Sequence, residues 1–334
     1  MRELIKQYSV RLSLFIIRLL LKKGILRLFV RLLVNDKNLL HSFIKLFVDK
    51  TDLVCHAQRM SEKKKFFCVD ESRIEQVLEG DKLNVFDVGA AGNIERGLKR
   101  YRHLLNVIVC EPRNDDSLIE NSEEFILIPK LIGKTEGRAT LWITEKETGS
   151  SVHQPIDTFL NLYSSGDSGR FDCIKQVEYP MTTIAAVLKE TSREVHYLKL
   201  DTQGNELDVL EGLGEYRPII IKTEISFVPL YKDQITFFHL AKYLYDMGYI
   251  LFHLAYRSSH GPPNKTGEIF CETVIPMHGD AWFMPDWTRE KGREIIRERE
   301  KEYKALMLIF GLGEIFEYAL EEYKVSNNHD NREV

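Results

Sequence analysis

The stretch NVFDVGAAGN, Asn84–Asn93, decides how this chain is read. Branched and aromatic apolar residues, interrupted by Asp87, run directly into Gly89-Ala90-Ala91-Gly92. Val and Phe suit a buried, pleated strand, and small residues after it make a tight turn with little side chain above the backbone. A turn of that kind admits a close approach, either by a ligand or by a packed neighbour.

Outward from this stretch, short apolar runs alternate with helical segments, the pattern of a doubly wound α/β sheet. Strands are expected at NVFDVG (84–89), NVIVCE (106–111), FILIPKLI (125–132), VHYLKLD (195–201), IIIKTEI (219–225), YILFHLA (249–255) and DAWFMP (280–285), with an extra hairpin strand at RATLWIT (138–144). Helices are expected over 93–104, 183–191, 204–213 and 234–247. The connection from WIT to VEYPM is long and without a clear period, as in a functional lid or a disordered loop. The segment 288–323 reads as a helical tail for packing or oligomerisation. The domain plan is a helical segment at 1–50, a helical lead-in at 51–82, the α/β domain at 83–286, and a C-terminal helix with a polar end at 287–334.

Open α/β sheets bind ligands beyond the carboxyl ends of their strands, where the strand order reverses. Asp87 and Gly89 end the first strand, and Glu111 ends the second, 22 residues past Gly89. That is close to the offset of roughly 20 residues at which an acid meets the hydroxyls of a ribose. NAD and S-adenosylmethionine both satisfy this geometry. The turn separates them, because a dinucleotide loop needs a middle glycine beside the pyrophosphate and this chain has alanine there. Asp87 would also oppose a phosphate, whereas it suits a cationic amino-acid group. Close packing without a ligand is the plain alternative. Further along, KLDTQGNELDVLEGL sets Asp201 at a strand end before a Gln-Gly turn and a helix, and TEISFVPLY sets Glu224 at the next strand end. Either could accept a proton. His153, His239 and His253 are the other bases considered.

Charge is unevenly spread. Residues 1–50 hold eleven Lys/Arg and three Asp/Glu, a local +8, so a total of −4 leaves about −12 on the remainder. An acidic body argues against a nucleic-acid surface. In MRELIKQYSVRLSLFIIRLLLKKGILRLFVRLLV, Glu3, Gln7, Arg11, Arg18 and Lys22 form one polar stripe on an otherwise apolar wheel. Charges interrupt it too often for a membrane span. A basic amphipathic helix lying on an anionic membrane surface, or packed on a second subunit of a homo-oligomer, is expected. Cys55, Cys68, Cys110, Cys173 and Cys271 form no paired spacing, which argues against a disulfide framework or a zinc site and for a cytoplasmic location.

Taken together, FDVGAAGN, CEP, GSSV, YLKLDTQGNELDVLEGL, TEISFVPLY and GDAWFMP resemble the FkbM-type S-adenosylmethionine-dependent methyltransferases, over about 83–286. The resemblance implies the class I methyltransferase sheet, Rossmann-like, of seven strands with the last antiparallel. It also implies O-methylation of a sugar, glycan or polyketide hydroxyl. By the same resemblance Asp87, Gly89 and Ala90 border the methionine half of the cofactor, Gly92 and Asn93 are further cofactor-binding residues of the turn, and Glu111 holds its ribose. Pro112 and Arg113 flank the adenine edge, Ile132 and Gly133 offer backbone contacts to the base, and Ser150 and Ser151 lie in the loop over the cofactor. Ala91 stands where the family more often has Asn, and Asn93 supplies the nearest polar side chain. Asp201 is the first candidate for base or orienting group and Glu224 the second, with no metal. A lipid-linked saccharide at the cytoplasmic leaflet fits the basic N-terminal segment. A nicotinamide-dependent oxidoreductase and a non-catalytic nucleoside-binding module are the competing classes.

Overall fold

The structure, a computed structural model, describes residues 71–89, 98–112, 122–156, 171–258, 276–319 and 321. The segments expected to be helical within 1–70, the loop tip at 90–97 and the residues 157–170 lie outside the described residues.

Among the described residues the chain opens with α1 (Glu71–Leu78) and β1 (Leu83–Val88). A 3₁₀ turn at Lys99–Leu104 then leads into β2 (Leu105–Cys110). It goes on through β3 (Phe125–Ile128), β4 (Leu131–Ile132), β5 (Gly137–Thr144) and β6 (Cys173–Thr182) to α2 (Ile184–Thr191) and β7 (Tyr197–Leu200). The second half holds α3 (Glu206–Glu211), β8 (Ile220–Ser226), α4 (Phe237–Asp246), β9 (Tyr249–Ser258) and β10 (Pro276–Pro285). Helices α5 (Glu290–Glu298) and α6 (Glu300–Ile309) follow, and residues 313–319 are helical.

Seven strands form one sheet in the order β3-β2-β1-β7-β8-β10-β9. Pairs β1–β2, β2–β3, β1–β7 and β7–β8 are parallel, and β10 runs antiparallel to both β8 and β9. The chain moves outward from β1 to β3, then returns to place β7 on the other side of β1. That reversal puts a switch point between β1 and its neighbours, where an open α/β sheet leaves a crevice. β1 and β2 are buried along almost their whole length, as expected of parallel strands covered on both faces.

One layer of the core joins Phe86, Val88 and Ile108 of the sheet to Ile184, Val187 and Leu188 of α2 and to Val209 and Leu210 of α3. α2 starts where Thr183 accepts a hydrogen bond from Ala186 N at 3.0 Å, a cap worth about 1 kcal/mol. On the other face Phe310, just after α6, stacks on Tyr197 of β7 with ring centroids 5.8 Å apart.

Two expectations need correction. FILIPKLI is not one strand: Pro129 has no N–H to continue a ladder, and Lys130 N turns back to Ile128 O at 2.9 Å. Its second half, β4, pairs in parallel with Met181–Thr182 in a separate sheet ordered β4-β6-β5. The end of the WIT-to-VEYPM connection is likewise a ten-residue strand, β6, antiparallel to β5. Its first four residues are all exposed, and the two-residue period that marks a half-buried strand begins only at Val177.

Candidate functional site

The site is built where β1, β2 and β7 end together. Gly89 N donates to Cys110 O and Asp201 N donates to Val88 O, each at 3.0 Å, so the ladders run one residue past the strands. Gly89 has φ +79°, and a Cβ there would lie 2.0 Å from the carbonyl oxygen of Asp201. The turn and β7 are therefore in direct backbone contact, and only glycine fits. A cavity of about 180 Å³ opens above this contact. Gly89, Glu111, Pro112, Ile132, Asp201 and Gln203 are among its walls, with Thr148 and Ser150 on the side of the loop after β5. Two larger depressions, of about 610 and 590 Å³, lie around Lys82 and Arg193 and around Arg73 and Lys301. They are shallow, rimmed by charged side chains, and touch none of the strand carboxyl ends.

Beneath the cavity the strand register lines up Asp87, Lys199, Lys222, Trp282 and His253 across five strands. Lys199 Nζ donates to Asp87 Oδ1 at 2.9 Å and stands 3.8 Å from Asp201 Oδ2. Asp87 is only 1% exposed, so its carboxylate is held by this lysine rather than presented to the cavity. Lys222 lies 4.8 Å over the Trp282 ring and 3.9 Å from Asp280.

One residue further toward the carboxyl ends, the amide of Gln203 bridges two acids. Its Nε2 is 3.1 Å from Asp201 Oδ1 and 2.5 Å from Glu224 Oε2. Its Oε1 accepts from the Tyr231 hydroxyl at 2.9 Å. His278 Nδ1 lies 3.4 Å from Glu224 Oε1. Gln203 itself has φ +57°, a left-handed conformation uncommon outside glycine.

The turn that presents Gln203 is tied from below. The Glu206 carboxylate accepts from Thr202 N and Oγ1 at 3.0 Å and from Gly204 N at 3.0 Å. Burial pushes the Glu206 carboxyl above its ordinary range, against the lowering effect of those bonds. Asn205 Nδ2 donates to Ile132 O at 3.0 Å, which joins this turn to the end of β4. Burial, aided by the charges of Asp87 and Glu111, pushes the Cys110 thiol well up as well.

Of the residues singled out in the sequence, Gly89, Glu111, Pro112, Ile132 and Asp201 line one cavity. Glu224 reaches it through Gln203, and Asp87 lies beneath it. Ser151 is buried and donates to Gln203 O at 2.7 Å, while its neighbour Ser150 is the one that faces the cavity. Ala90, Gly92, Asn93 and Arg113 lie outside the described residues. His253 packs against Trp282 with ring centroids 4.9 Å apart, and His239 is on an exposed surface beside Thr236. Among the described residues no three metal-ligating side chains converge.

Sequence reasoning missed Lys199, Gln203, Tyr231 and His278. Lys199 left a signal, a charged side chain inside the apolar strand YLKL, and Gln203 stands in the Gln-Gly turn two residues after Asp201. Tyr231 and His278 join them only through the fold.

No curated protein matches the chain. Residues 87–251 match the family model described as the Methyltransferase FkbM domain. The matched span begins at the aspartate of β1 and runs into β9, so it takes in every wall of the cavity. Residues 87–251 of the chain carry an FkbM methyltransferase domain.

Proposed function

We propose that this protein is an S-adenosylmethionine-dependent O-methyltransferase acting on a hydroxyl of a sugar, glycan or lipid-linked saccharide. The observation that carries the reading is one cavity with Glu111 at the end of β2, Asp201 at the end of β7, and the side-chain-free Gly89 between them. The donor set fits a nucleoside. A buried carboxylate suits vicinal ribose hydroxyls, and Pro112, Leu131, Ile132 and Leu141 form an apolar wall for a base.

S-adenosylmethionine supplies a methyl group already activated on a sulfonium. The protein's part is alignment, which in well-oriented systems lowers a barrier by about 7–11 kcal/mol. Asp201, at the cavity wall with 41% of its side chain exposed, is placed to accept the proton of an acceptor hydroxyl. A base of this kind adds roughly 10²–10⁴-fold. Lys199 sets the far side of that carboxylate, and Gln203 the near side.

Calorimetric titration with S-adenosylmethionine and with NADH tests the cofactor, and the first is expected to bind and the second not. Incubation with methyl-labelled cofactor and a panel of glycans and lipid-linked oligosaccharides, read by mass, tests the acceptor. Binding of NADH in place of S-adenosylmethionine would overturn the reading in favour of an oxidoreductase. An Asp201→Asn variant with undiminished turnover would remove Asp201 from the mechanism.

The basic, apolar pattern of residues 1–34 supports a place on the cytoplasmic face of an anionic membrane. Among the described residues no helix is long and apolar enough to cross a membrane. Deletion of residues 1–50 is expected to move the protein from the membrane fraction to the soluble one.

A further inference from the structure

We infer that Gln203 is the positioning residue of this site. Its side-chain amide, oriented by Tyr231, clamps Asp201 and Glu224 side by side so that Asp201 faces the acceptor. The inference rests on the methyl-transfer reading for its consequence, and on geometry alone for the clamp.

An amide has two N–H donors and one oxygen acceptor, and this one has a partner for each. Both carboxylates lie against Nε2, and the Tyr231 hydroxyl lies against Oε1. The reverse orientation would set the amide oxygen against two carboxylates, so electrostatics leaves one arrangement. Tyr231 is buried, and its hydroxyl sits 2.9 Å from both Gln203 Oε1 and Gly149 O, sharing one proton between the amide and the loop over the cavity. The main chain is fixed in the same way: Ser151 donates to Gln203 O at 2.7 Å, and the backbone is held at φ +57°. A residue kept in a strained conformation with its amide and main-chain carbonyl engaged is built to hold its neighbours in place.

What it holds is two like charges. Lys199 stands behind Asp201, and His278 and Asp280 flank Glu224 on β10, with Asp87 beneath. A neutral amide between the two acids gives each carboxylate an N–H donor without adding charge of its own.

Gln203→Glu keeps the length of the side chain and exchanges its donors for acceptors. At pH 8 it places three carboxyl groups together, and on acidification a proton restores a donor between them. The variant is expected to lose about 100-fold in kcat at pH 8 with little change in KM, and the deficit should shrink toward pH 5. Without any ligand, its melting temperature should fall below wild type at pH 8 and converge with it toward pH 5. Tyr231→Phe, which leaves the cavity wall untouched, should lower kcat about tenfold with the pH profile retained.

A deficit equal at all pH values in both kcat and melting temperature would mean a merely structural role and would overturn the inference. Full activity of Gln203→Glu would overturn it as well. A pH-dependent melting difference in a protein that methylates no acceptor would uphold the clamp and overturn the functional reading instead.

Discussion

Lys199 shows how much of this site depends on one side chain that looks out of place in a strand. It is 12% exposed, and its ammonium lies 2.9 Å from a carboxylate that is itself buried. Removing one member of a buried pair leaves the other charge uncompensated, at about 3–5 kcal/mol. Lys199→Met is expected to destabilise the protein by about that much in denaturant unfolding. Lys222→Met, whose partner Asp280 is 46% exposed, should cost only about 1 kcal/mol because water already screens that pair. Equal losses in the two variants would contradict this assignment of burial. Cys110 follows the same logic in reverse. Burial, then the charges of Asp87 and Glu111, disfavour its thiolate, which is the form that reacts. Brief alkylation of the native protein should label the exposed Cys173 and spare Cys110, as read by peptide mass analysis.

At the scale of elements, the turn between β7 and α3 carries the site, and Glu206 carries the turn. Its carboxylate closes a small ring with Thr202 and Gly204, where Gly204 takes φ +108°. Glu206→Gln keeps the shape but turns an amide N–H₂ toward groups that themselves donate. A buried donor left facing donors costs about 1–3 kcal/mol, so a loss of about 2 kcal/mol is expected by thermal unfolding. Turnover should fall further than stability alone explains, since Gln203 is displaced with the turn. This element was legible in the sequence: an apolar strand, a Gln-Gly turn and the helical spacing of Leu207, Leu210 and Leu213 sit in one unbroken segment. β6 was not, because its pairing partners β4 and β5 supply the register that its own residues do not advertise. The break at Pro129 has the same origin. Two apolar runs flank it, and nothing local says that they enter different sheets.

At the scale of the whole molecule, one buried histidine at the end of the sheet opposite the cavity links folding to pH. His196, just before β7, accepts from Asn84 N at 3.1 Å through Nδ1. Burial, then the charge of Arg299, lowers its pKa from 6.5 to about 4. Glu194 is 3.9 Å away, too far to offset that as a hydrogen bond. The unfolded chain therefore binds a proton that the folded one refuses, between about pH 6.5 and pH 4. Stability from this group is complete above pH 6.5 and is lost as pH falls through that window. The shift corresponds to about 3 kcal/mol. His196→Asn, which keeps an acceptor for Asn84 N, should flatten the pH dependence of unfolding over that range. An unchanged slope would show that other groups dominate acid unfolding.

The sequence by itself determined the strands of the main sheet apart from where β3 stops, the helices α2 to α4, and the acids and glycine that end β1, β2 and β7. Each rests on local causes: apolar runs, a capping threonine, small residues in a turn, and a family resemblance read in continuous segments. Only the tertiary structure decided which of those acids face the cavity and which are neutralised below it. That outcome depends on register across β1, β7, β8 and β10, which brings Asp87 to Lys199 and sets Gln203 between Asp201 and Glu224. Coulombic and hydrogen-bond partners act over a few ångströms in space, and Tyr231 and His278 lie far from Asp201 along the chain.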